Sequence, residues 1–280
     1  MSRSRPQSVA DADRDLRQYL IRIAATLGDK AGDALTGLYV HGSLATGSYH
    51  RERSSIDLIA VVSRKLTPHE REGIARVFVR LSDERPVPGD IWITVVQERY
   101  ARAFEHPMPY EVHYGPAWHE RIRRGAVEFA RDETSADLAA KVLEVRQRGV
   151  TLVGPPPESL FGPVPWHAYV NALEVEFGSA RRSVAKQPVY AILGACRVLH
   201  GTTTPSMKSL NKDEAGVWAL QTVPRMYHSA INDALQLYRG TKSLDDVVLT
   251  ERDIIALREY VRERSQNAFD RASDTGEDDE

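Results

Sequence analysis

The chain has 280 residues, 42% of them apolar and 27% charged, with a net charge of −2. At roughly 100–200 residues per domain that is enough for two cores, and the charge excludes a protein that grips nucleic acid by bulk positive charge. The single cysteine, Cys196, excludes an intramolecular disulfide and a cysteine-based zinc site and fits a reducing cytoplasm.

Taken in chain order, residues 1–10 read as a disordered N-terminus. They lack the apolar stretch of a signal peptide, and no run in the chain approaches about 18 apolar residues, so no membrane span is expected. Leu16, Leu20, Ile23 and Leu27 recur at helical spacing and predict an amphipathic helix over 11–27. Leu38-Tyr39-Val40 is a short apolar run that ends in His41-Gly42-Ser43. Residues 56–62 (IDLIAVV) form a second run, too apolar for an exposed edge. Thr67-Pro68-His69-Glu70 has Thr at the N-cap, Pro in the first turn and Glu at the third position, which starts a helix that runs to about Leu81. Residues 91–96 (IWITVV) predict a third strand, and 135–149 another helix. The sum is a small mixed sheet with packed helices.

Seven Gly and Pro residues between Gly154 and Pro165 mark a boundary, since neither residue continues a helix or a central strand well. Beyond it the periodicity is helical over 166–185, 189–200, 212–222, 227–239 and 251–269, with Asn211 to Glu214 spaced as a capping box. A bundle is expected there. The sequence therefore predicts an α/β (α+β) chain: a mixed-sheet domain over 11–157, a helical domain over 158–270 and an acidic, solvated tail over 271–280.

The chemistry lies in His41-Gly42-Ser43 and Ser55-Ile56-Asp57. A strand that ends in Gly-Ser and turns into a helix presents free backbone N–H groups suited to phosphate oxygens, and Gly42 lets the backbone come close. Ser55 and Asp57 share one face of the next strand, where a carboxylate can hold magnesium beside phosphates.

Several segments carry a wider resemblance: LYVHGSLATGSY (38–49), SSIDLIAVV (54–62), YEVHYGPAW (110–118), DLAAKVLEVRQRGVTLVGPP (137–156), CRVLHG (196–201) and NKDEAGVWAL (211–220). In this order they resemble the aminoglycoside nucleotidyltransferases that adenylylate streptomycin and spectinomycin. The resemblance implies a nucleotidyltransferase-fold domain followed by a helical domain, with ATP and an aminoglycoside or other sugar-bearing molecule meeting in the cleft between them, and with Mg2+ as cofactor. It implies that Gly42 and Ser43 hold phosphates, that Asp57 is a metal ligand and catalytic, and that Arg197, Lys212 and Tyr238 lie at the nucleotide. His113 and Trp118 fall in the segment that faces the acceptor.

Two positions depart from the family pattern. Its Ser-Asp-Ile-Asp reads Ser54-Ser55-Ile56-Asp57 here, so one metal-binding Asp is a serine. The Glu that serves as general base on the later strand aligns with Trp92, an acceptor-binding candidate whose only polar group is a donor. Asp90, two residues earlier, is the available base. Three readings stay open: adenylyl transfer with a weakened Mg2+ site, a metal-independent enzyme of natural-product biosynthesis, and a nucleotide-binding sensor without catalysis. A Ser55-His41-Asp57 hydrolase is a remoter alternative. A metal site at His106, His113 and His119 fits no zinc spacing.

Overall fold

A computed structural model describes residues 6–180, 187–247 and 249–277. The chain divides into two compact units, Ser4–Val164 and Pro165–Glu280.

The first unit opens with α1 (Arg14–Ala31), then β1 (Leu35–His41), α2 (Gly42–Ala45), β2 (Ile56–Val62), α3 (Pro68–Asp83) and β3 (Ile91–Gln97). It continues through α4 (Glu98–Arg102), β4 (Met108–Tyr110), β5 (Val112–Tyr114), α5 (Pro116–Arg123), β6 (Glu133–Ser135), α6 (Leu138–Arg148), β7 (Val150–Val153) and α7 (Pro157–Leu160). Five strands form one sheet in the order β5-β3-β2-β1-β7, and β4 and β6 pair separately. The β2–β3 pair is parallel; the other pairs are antiparallel.

Side-chain alternation divides this sheet into two faces. Leu38, Val40, Leu58, Ala60, Ile93, Val95, Val112 and Tyr114 share a core with Leu16, Leu20, Ile23 and Leu27 of α1 and Ile74, Phe78 and Leu81 of α3. Burying each of the valine, leucine, isoleucine and phenylalanine side chains among them contributes about 1.5–3 kcal/mol. The alternate positions, Tyr39, His41, Asp57, Ile59, Trp92, Thr94 and His113, belong to the other face.

The second unit holds α8 (Trp166–Ala180), α9 (Pro188–Thr203), α10 (Lys212–Thr222), α11 (His228–Arg239) and α12 (Glu251–Glu277). α9 packs against the other four. Its run from Ala191 to Cys196 is wholly buried, the mark of a helix apolar all round. Asn211 and Glu214 form the expected capping box at the start of α10.

The ends differ from the expected disorder. Gln7 forms an isolated bridge with Tyr49, and Val9 N–H donates to the Leu44 carbonyl. Backbone pairing therefore fixes 7–9, while residues 1–5 lie outside the described residues. α12 runs past residue 270 because buried Ala268, Phe269 and Ala272 continue its apolar stripe. Residues 158–164, assigned from sequence to the helical domain, pack within the first unit. There Phe161 meets the Tyr39 ring edge-on at 5.3 Å, and Gly162 N–H donates to the Ala101 carbonyl. Residues 181–185, expected to extend α8, lie outside the described residues. Among the described residues no helix is long and apolar enough to cross a membrane.

Candidate active site

The register aligns the motif residues in one row. His41 pairs with Asp57 across β1 and β2, and Asp57 pairs with Trp92 across β2 and β3. Gly42 follows with φ +67°, and a Cβ built on it would stand 2.4 Å from Asp57 Oδ2. The carboxylate thus lies against the backbone of the Gly-Ser turn. Ser55 Oγ donates to both Asp57 oxygens, each at 3.0 Å. His41 Nδ1 instead meets Glu144 of α6 at 3.2 Å, so Ser55, His41 and Asp57 do not form a hydrolase relay.

Beyond Asp57 the row turns aromatic. Trp92 is 36% exposed, and its indole lies over Gly115, where an added Cβ would come within 2.4 Å of the ring. His113, opposite Thr94 in register, shares a 3.0 Å hydrogen bond with its hydroxyl. Its ring centroid lies 6.1 Å from Trp92, 5.9 Å from Tyr110 and 6.0 Å from Trp118. The Arg121 guanidinium stands over Trp118 at 4.6 Å. A cavity of about 290 Å³ opens here, lined in part by Tyr110, His113, Trp118, Arg121, Phe129 and Arg131. Sequence reasoning pointed to Trp92, His113 and Trp118 separately; β5, which it did not identify, brings them together.

Burial pushes His113 down to about 4, and the Lys141 ammonium acts in the same direction. The ring is therefore uncharged at neutral pH. The unfolded chain protonates this histidine near pH 6.5, the folded one near 4, so between those values the unfolded state binds more protons and stability falls as pH drops. The contribution is complete above about pH 6.5 and amounts to roughly 3 kcal/mol at most. Thermal melting from pH 7.5 to 4 is expected to show a shallower decline in His113→Gln than in the parent; parallel curves would refute the assignment.

Asp90 sits just outside β3. Its carbonyl accepts from Ile56 N–H at 2.8 Å, and its half-exposed carboxylate lies 3.8 Å from Arg85, a long ion pair. His106 stacks on Phe104, and His119 meets Tyr114 and Asp83. Among the described residues no group of three His, Cys, Asp or Glu is placed to hold a metal ion. One carboxylate beside one hydroxyl does not suit a two-metal centre. It does suit a single magnesium ion brought in on a triphosphate, because magnesium keeps several waters and takes only one or two carboxylates alongside phosphate oxygens.

In the helical unit, Lys212 Nζ stands 5.3 Å over the Tyr190 ring, and Tyr238 meets the same ring edge-on at 6.3 Å. Two of the three predicted nucleotide contacts thus share one aromatic neighbour. Arg197 forms an ion pair with Glu176.

One buried network was not read from the sequence. Arg71 of α3 donates to Glu111 at 2.8 Å, to the carbonyls of Phe129 and Arg131, and to Asp132. Glu111 also accepts from Leu66 N–H and from Gln97 Nε2. A signal was present: Arg71, Ile74, Ala75 and Phe78 share the buried face of α3 at helical spacing.

A family model described as the aminoglycoside adenylyltransferase C-terminal domain matches residues 159–264. An aminoglycoside (3'') (9) adenylyltransferase of Klebsiella pneumoniae is 26% identical over 211 residues, covering 74% of this chain and 79% of that protein. One of Rhizobium radiobacter is 27% identical over 240 residues, covering 83% of each. A spectinomycin 9-adenylyltransferase of Staphylococcus aureus is 23% identical over 219 residues, covering 76% of this chain and 81% of that protein. In fold, the chain matches the crystal structure of a spectinomycin adenyltransferase from Enterococcus faecialis with ATP and spectinomycin. The TM-score is 0.73 at 20% identity, covering 89% of this chain and 99% of that one.

Proposed function

We propose that this member of the aminoglycoside nucleotidyltransferase family transfers AMP from ATP to a hydroxyl of an aminoglycoside or another sugar-bearing small molecule. The observation that carries the reading is the Asp57 carboxylate lying against the α-carbon of Gly42. It joins an anion-accepting turn and a cation-binding group in one place.

In this reading the acceptor oxygen bonds to the α-phosphorus, the bond to the β-phosphate bridging oxygen breaks, and pyrophosphate leaves. Backbone N–H groups at Gly42 and Ser43 hold the triphosphate. Asp57, oriented by Ser55, would hold a magnesium ion that neutralises phosphate charge when it is bound. Asp90 takes the acceptor proton; among the described residues its carboxylate has only the long contact with Arg85 to break. Trp92, His113 and Trp118 offer flat faces and an uncharged imidazole to the acceptor. Arg197, Lys212 and Tyr238 of the helical unit bind the nucleotide.

The test incubates the protein with ATP, magnesium and a panel that includes streptomycin and spectinomycin, and follows pyrophosphate release. Release that Asp57→Ala abolishes and Asp90→Asn lowers about 10²–10⁴-fold supports the reading. Saturable ATP binding with no release supports a nucleotide sensor instead. Ser55 and Trp92 favour a second reading, a metal-independent enzyme on the same fold; turnover of a sugar compound without magnesium would select it. Restoring acidic residues with Ser55→Asp and Trp92→Glu together is expected to raise release at least tenfold. Unchanged release in the double variant would show that these two positions do not limit the reaction.

A further inference from the structure

Of the buried polar pairs that the mechanism above leaves unused, His41 and Glu144 lie beside the phosphate-holding turn. His41 is the last residue of β1, register partner of Asp57 and immediate predecessor of Gly42. It is 7% exposed, and Glu144, its partner at 3.2 Å through Nδ1, is 8% exposed. Glu144 belongs to α6, whose helix contacts β1, so the imidazole is fixed from a second element. Among the described residues its Nε2 makes no hydrogen bond, and that nitrogen is not sealed from solvent. A ring nitrogen left open in an otherwise buried side chain is satisfied only by water or a ligand.

The row His41, Asp57, Trp92 holds one carboxylate and no lysine or arginine, yet a nucleoside triphosphate brings several negative charges. We propose that His41 is a phosphate-binding residue: Glu144 orients its ring, and Nε2–H donates to a phosphate oxygen of the nucleotide seated at Gly42 and Ser43. The inference rests on the nucleotide-binding part of the proposed function. In the bound state Glu144 accepts the hydrogen bond from Nδ1–H and the phosphate accepts that from Nε2–H, and hydrogen bonds to charged acceptors are among the stronger kinds.

Calorimetry with the full chain tests this, using ATP and adenosine as probes, each with and without magnesium. His41→Ala is expected to weaken ATP binding about ten- to a hundredfold and to leave adenosine binding within twofold. Glu144→Gln shifts ATP affinity the same way by a smaller factor. His41→Gln, whose amide N–H stands closest to the place of Nε2, recovers part of the loss; His41→Asn, whose amide stands nearer Nδ1, does not. Circular dichroism melting of each variant separates lost binding from lost folding. ATP affinity within twofold of the parent in His41→Ala overturns the assignment. So does an equal fall for ATP and adenosine, or equal affinities in the Gln and Asn variants. A parent protein that binds no ATP removes the proposed function itself; a parent that binds ATP with unaffected variants removes only the role of His41.

Discussion

Gly42→Ala is expected to lose ATP affinity by about a hundredfold or more and to melt at a lower temperature than the parent. Two effects combine. The backbone at Gly42 has φ +67°, where an L side chain costs about 1–2 kcal/mol. The new methyl would also stand 2.4 Å from Asp57 Oδ2, so the carboxylate or the turn must move. Gly47→Ala is the control: it has the same strain at φ +75° and nothing within 4 Å of its added Cβ. Gly47→Ala should lose a similar amount of stability from the backbone term and keep its ATP affinity. If the two variants bind ATP alike, the contact between turn and carboxylate has no part in binding. Calorimetry and thermal melting read both quantities.

Arg71→Met is expected to destabilise the first unit by about 3–5 kcal/mol, the cost of stranding one member of a buried ion pair. Glu111 would remain in the core without its guanidinium, and the Phe129 and Arg131 carbonyls would lose their donor. Adding Glu111→Leu should recover only part of the loss, because Leu66 N–H and Gln97 Nε2 then lose their acceptor. Urea denaturation of the two variants gives the comparison. A single variant within about 1 kcal/mol of the parent would mean the network holds little.

Elements with a continuous apolar run or a clear start signal were legible in the sequence: β2 over 56–62 is such a run, α10 over 212–222 opens on a capping box, and both carry the expected limits. β5 and β7 were not legible. Three- and four-residue strands offer too few alternations for a period, and only pairing with β3 and β1 defines them. The candidate site was legible where motif residues follow one another, as in Gly42-Ser43 and Ser55-Ile56-Asp57. His41 with Glu144 was not, since 103 residues separate the two and no local spacing joins them. Arg71 was legible in principle, but an arginine on an apolar helix face is recognised as paired only when Glu111 is seen beneath it.

The two outer strands of the main sheet, β5 and β7, span three and four residues. An unpaired strand edge invites foreign chains to extend the hydrogen-bond ladder, and short outer strands blunt that invitation. The long apolar strands most capable of seeding fibrils, β2 and β3, are interior to the sheet and have a neighbour on each side. While this unit stays folded, its most adhesive backbone is out of reach of other molecules.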